Sequence, residues 1–196
     1  LDKRLEKNSI ARYILELLEI ISSNFSIESV LAFLKLGYYD FGSNFNFNDI
    51  YLLEKYVLRW NIRGSKWKNE WKNYDKLPDE DFDRLLSFKD NFVKFVENFK
   101  ETIGRYKSSK DISNAIYELI EKEEIFRKSI YDIENFNISD ERKLELKQEY
   151  ATSLNLLKDS LDRIVSIKGD QNISYEKYCN IFKLVLKETH IKQIPS

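Results

Sequence analysis

The sequence predicts an all-α fold, a bundle of about seven helices with one irregular basic and aromatic loop. Three observations predict it. Apolar residues recur at three- and four-residue steps along most of the chain, the mark of helices with one buried face. Only 5 glycines and 2 prolines occur in 196 residues, too few for the tight turns of a β fold. Residues that cap helix N-termini stand just ahead of several apolar stripes.

The elements follow in order. Leu5, Ile10, Ile14, Leu17, Leu18 and Ile21 form the stripe of a first helix from Leu5 to Ile21. Ser26 caps a second helix bearing Val30, Leu31, Phe33 and Leu34, and Gly37 stops it. Tyr38 to Phe47 is aromatic and Asn-rich and reads as a loop. Asn48 or Asp49 caps a third helix with Ile50, Leu53, Val57 and Trp60, which Gly64 ends. Ser65 to Leu77 shows no clear period. Pro78 and the acidic run Asp79, Glu80, Asp81 open a long fourth helix, where carboxylates suit the positive end of the helix dipole. Its stripe runs Phe82, Leu85, Leu86, Phe92, Val93, Val96, Phe99, Ile103, and Gly104 ends it. Ser108 and Asp111 have capping-box spacing ahead of a fifth helix that carries Ile112, Ile116, Leu119, Phe126, Ile130 and Ile133. Ser139 caps a sixth, with Leu146, Tyr150, Leu154, Leu157, Leu161 and Ile164 in a nearly strict a/d pattern, and Gly169 ends it. Ser174 caps a last helix with Tyr178, Ile181, Phe182, Val185 and Leu186. The natural division is 1–77, helices with the Trp/Lys loop, and 78–196, a bundle of long helices, the two expected to form one compact unit. The chain has no methionine and opens on Leu1 within a helical pattern, so it reads as a segment cut from a larger protein.

Composition removes most chemistries. Lys+Arg (32) and Asp+Glu (33) balance, so any nucleic-acid contact must come from a local patch. A lone cysteine, Cys179, allows neither an internal disulfide nor a cysteine-based zinc site, and reads as a small core residue. The single histidine, His190, has no partner motif for catalysis and reads as a surface or boundary residue. No two glycines lie close enough to form a phosphate-binding loop. Carboxylate pairs such as Glu123 with Glu124 read as solvated helix faces. No apolar run approaches the roughly 18 residues of a membrane span, and no signal peptide opens the chain, so the cytoplasm is the expected compartment. The expectation is a segment with no catalytic residue, no metal and no cofactor of its own.

One segment stands apart. Between Arg59 and Lys76, the cations Arg59, Arg63, Lys66, Lys68, Lys72 and Lys76 face only Glu70 and Asp75, and all three tryptophans fall here. Lysines and arginines neutralise phosphates, and indole faces stack on unpaired bases. Arg59, Arg63, Lys66, Trp67, Lys68, Trp71 and Lys72 are thus candidate DNA contacts. The same pattern also suits tryptophans that anchor an irregular loop to the helices while the lysines stay in water.

The run Phe25–Gly37, FSIESVLAFLKLG, resembles a helix of the AddB family, the B subunits of bacterial AddAB helicase–exonucleases. There an aromatic and a short polar cap precede an apolar pair and Leu-Lys-Thr-Gly. Asp49–Gly64, DIYLLEKYVLRWNIRG, is similar to that family's Asp-Ile-x-x-Leu-Glu-Asn-Tyr-Val-Leu followed by Gly-Ile-x-Gly. Trp67 and Trp71 match the tryptophans that come next, and Ile194 with Pro195 matches an Ile-Pro pair after which the helicase-like core resumes. These motifs cover about a quarter of the chain; Leu36 and Asn61 depart from them where Thr and Gly are usual. The resemblance implies a helical insertion of the 2B type in a helicase-like region that has lost motor activity, holds the 3′-ended strand and scans for the Chi hotspot. It implies an AddA-type helicase–nuclease partner, DNA in the assembled complex, and no membrane. It places ATP, magnesium and a 4Fe-4S cluster elsewhere in the complex, because none of their ligands matches a position here. A helical protein–protein interaction module without nucleic-acid contact is the alternative.

Overall fold

A computed structural model describes residues 3–4, 8–38, 45–104, 108–122 and 131–191. The described chain is helical: α1 (Ser9–Ser22), α2 (Ile27–Leu34), α3 (Phe47–Arg59), α4 (Asp79–Gly104), α5 (Ser109–Lys122), α6 (Asp140–Lys168) and α7 (Tyr175–Glu188). Residues 131–135 are helical as well. The all-α prediction holds, with one small addition. Two-residue strands β1 (Lys3–Arg4) and β2 (His190–Ile191) pair antiparallel, Lys3 opposite Ile191. No helix among the described residues is long and apolar enough to cross a membrane.

The chain divides into two compact units. One comprises Leu1–Leu15 and Ile103–Ser196, the other Glu16–Thr102. In the first, α6 packs against both α5 and α7. Leu157, Leu161 and Ile164 supply its apolar contacts, and the buried Ser153 and Ser160 on the same helix return their hydroxyls to the carbonyls of Glu149 and Leu156. The Ser113 and Tyr178 hydroxyls share a buried hydrogen bond of 2.7 Å, and Cys179 is a buried core residue. Gly169 ends α6 at φ +50°, and its carbonyl accepts from the Ser109 hydroxyl (2.8 Å) and the Lys110 amide (3.1 Å). Residues 123–130, which carry Phe126 and Ile130, lie outside the described residues.

The second unit is built around aromatic side chains. Phe92 of α4 meets Phe25, Phe33, Trp67 and Phe88, with ring centroids 5.6–6.3 Å apart. Phe25 sits at φ +59°, a conformation costly for a bulky residue. Its nearly complete burial between Trp67 and Phe92 offsets that cost. The break offered by the sequence after Leu77 has residues of this one unit on both sides, because the loop tryptophans pack on α4.

Several helix ends differ from expectation. Asn8 starts α1, its side-chain oxygen accepting from the Ile10 amide. α3 is capped by Asn46, not by Asn48 or Asp49; Asp49 serves as the third residue of the capping box and accepts from the Asn46 amide. α3 ends at Arg59, where Asn61 takes a positive φ, so Gly64 does not end it. Gly64 instead opens a 3-10 turn, Gly64–Trp67.

Candidate nucleic-acid interface

Residues 64–77 form no regular helix beyond that turn, so their backbone polar groups need partners elsewhere. Side chains supply them. The Trp71 indole donates to the Lys66 carbonyl at 2.9 Å, the Tyr56 hydroxyl to the Lys72 carbonyl at 2.9 Å, and the Lys89 ammonium to the Asn69 carbonyl at 3.2 Å. Tyr56 stacks on Trp71 with centroids 5.0 Å apart, and burial raises the Tyr56 phenol above its ordinary value. The Gly64 amide donates to the Phe25 carbonyl, which ties the start of the segment to the α1–α2 connection. The segment is therefore folded back onto its own unit. It does not project into a groove.

The tryptophans settle accordingly. Trp67 is 0% and Trp71 5% exposed, so neither indole can present a face to a base. The base-stacking role expected of Trp67 and Trp71 does not hold; they anchor the loop. Trp60, which is not among the candidates that the sequence suggests, is half-buried. Its indole donates to Asp75 at 3.1 Å, and its ring meets that of Tyr74 at 4.7 Å and 39°. Tyr74 is 57% exposed. No sequence signal marks it, since an isolated tyrosine in an irregular stretch has no period to betray its face.

The cations differ in how they are engaged. Arg59 pairs with Asp75 at 2.9 Å and lies over the Trp60 ring. Lys68 pairs with Glu97 at 2.9 Å and lies over the Phe25 ring. Lys66 donates to the carbonyls of Trp60 (3.2 Å) and Asn61 (3.1 Å), at the negative end of α3. Arg63 and Lys72 are exposed and have no side-chain partner among the described residues. The partly exposed pair of Lys68 with Glu97 is of a kind worth about 0–1 kcal/mol and remains exchangeable, Arg59 is held by the largely buried Asp75, and Arg63 and Lys72 meet an anion without breaking anything. Lys72 lines an open groove of about 480 Å³ together with Tyr56, Trp60, Ile62, Lys66 and Tyr74, and with Asn69, Glu70 and Trp71. Among the described residues no group of three or more His, Cys, Asp or Glu stands together that could hold a metal ion.

No family model matches the chain. Individual relatives do. It is 30% identical over 207 residues to the B subunit of an ATP-dependent helicase/deoxyribonuclease from Thermoanaerobacter sp., covering 97% of this chain. B subunits of the same enzyme name from Ruminiclostridium cellulolyticum (31% over 201 residues, 95% of this chain) and Clostridium botulinum strain Hall (30% over 207 residues, 100% of this chain) agree. The chain is homologous to one internal segment of AddB, the B subunit of that enzyme. It spans 17–18% of the length of these AddB relatives. The match extends well beyond the motifs that point to the family and takes in the α5–α7 bundle, which has no distinctive motif of its own.

Proposed function

We propose that this chain is a non-catalytic helical accessory domain, of the 2B type, in a helicase–exonuclease subunit that processes double-strand DNA ends in the cytoplasm. The observation that carries the reading is the near end-to-end match to a segment of helicase/deoxyribonuclease B subunits. In the assembled complex, with an AddA-type partner and with ATP, magnesium and the iron–sulfur cluster held elsewhere, its part is to contact DNA without reading sequence. Arg63 and Lys72 make that contact, with Arg59, Lys66 and Lys68 adding to the local positive field. Phosphates meet such cations without regard to base identity.

The test is Arg63→Ala/Lys72→Ala in the intact helicase–exonuclease, with DNA affinity measured across a salt series. Two lost phosphate contacts flatten the slope of log affinity against log salt by roughly 1.4–1.8. Unchanged affinity and slope would remove the DNA contact. The alternative, a protein-interaction module, draws support from Tyr131, Phe136, Ile138 and Leu144, all exposed large apolar side chains near the start of α6. It predicts that substitutions there, and not at Arg63 and Lys72, weaken assembly with the partner subunit.

A further inference from the structure

Tyr74 is held in place at the surface of its unit. It lies in a turn, Asn73–Leu77, closed from both ends: the Leu77 amide donates to the Asn73 side-chain oxygen at 2.8 Å, and the Asn73 side-chain nitrogen donates to the Leu77 carbonyl at 2.8 Å. Lys76 in the same turn takes a positive φ of 51°. The Tyr74 ring is backed by Trp60, which is itself fixed by Asp75, and Asp75 by Arg59. A large aromatic ring is thus pre-positioned with 57% of its residue surface in water. The ring's contact with Trp60 leaves much of its apolar surface unburied, where it adds little hydrophobic stabilisation.

We propose that the open face of Tyr74, backed by Trp60, stacks one unpaired nucleobase of single-stranded DNA, while Lys72 takes the adjoining phosphate. The proposal deepens the DNA contact proposed above and rests on it. Single-stranded DNA is the occupant because a duplex keeps its base faces against one another, leaving none for a protein ring. Charge agrees with the choice. Lys66 and Lys72 line the groove, Glu70 is its one carboxylate, and Lys72 has no side-chain partner among the described residues. An acidic or apolar peptide would use the charge or the ring, but not both together. Stacking is indifferent to base identity, which suits a contact that tracks a moving strand.

The test uses the 196-residue chain, with fluorescence anisotropy on a labelled oligothymidylate, an abasic strand of the same length and a duplex. The oligothymidylate binds more tightly than the abasic strand. Tyr74→Ala weakens the oligothymidylate by about 5- to 150-fold and leaves the abasic strand unchanged, whereas Tyr74→Phe behaves as the parent. In the unmutated chain the oligothymidylate quenches indole emission, and Trp60→Phe abolishes the quenching because the other two indoles are buried. Wild-type binding by Tyr74→Ala, or quenching that survives Trp60→Phe, overturns the platform. If Arg63→Ala/Lys72→Ala flattens the salt dependence while Tyr74→Ala changes nothing, the phosphate contact stands and the platform falls. If none of the three nucleic acids binds, the platform falls, and the phosphate contact is decided by the salt series on the intact complex.

Discussion

Tyr178 shows what burial does to a single titratable group. Removal from water raises its phenol well above the ordinary value, and the hydrogen bond with Ser113 only partly opposes this. The sign follows from linkage. The unfolded chain ionises this phenol near pH 10 while the folded chain keeps it neutral, so its contribution to stability is complete below about pH 10 and is lost as pH rises further. Tyr178→Phe should flatten the alkaline fall of stability measured by urea unfolding between pH 9 and 11, at a cost of about 1 kcal/mol at neutral pH for the lost hydrogen bond. Trp67 makes the opposite case, a side chain whose worth is all packing. Trp67→Ala should lower unfolding free energy by about 3–5 kcal/mol, because it empties the space between Phe25, Trp71 and Phe92. An effect under about 1 kcal/mol by chemical denaturation would mean that the indole is not buried in solution.

At the scale of elements, the helix starts were the most legible feature. Ser26, Ser139 and Ser174 all cap as expected, each side chain accepting from the amide three residues on. Ser174→Ala should cost about 1 kcal/mol and lower the melting temperature. Helix ends were less legible where the stopping residue was not glycine. α3 stops at Arg59 because Asn61 adopts the left-handed region, and a cap by Asn46 is hard to see since two further candidates, Asn48 and Asp49, follow it. Gly169 does end α6 as expected, and both its φ of +50° and the two donors on its carbonyl explain why. Gly169→Ala should cost about 1–3 kcal/mol of unfolding free energy, the range for a side chain forced into a sparsely populated backbone region. A neutral outcome would show that the α6–α7 connection relaxes freely.

For the molecule as a whole, the expected outcome is that the purified chain, with or without magnesium, neither hydrolyses ATP nor degrades linear DNA; steady release of phosphate or nucleotides by a clean preparation would refute this. The sequence by itself determined the all-α class, most helix starts and, through Phe25–Gly37 and Asp49–Gly64, the likeness to a segment of AddB. These are local properties: a period of 3.6, a cap and a motif are each read within a few consecutive residues. Only the tertiary structure decided which tryptophans of the basic and aromatic segment are buried and which of its cations are engaged by other groups of the fold. Trp67, Trp71, Lys66 and Lys68 look alike in sequence to Trp60, Arg63 and Lys72. They differ because Phe92 and Glu97 of α4, and the carbonyls at the end of α3, happen to lie beside some and not others. An irregular segment has no period, so its inside and outside are set by what the rest of the chain brings against it.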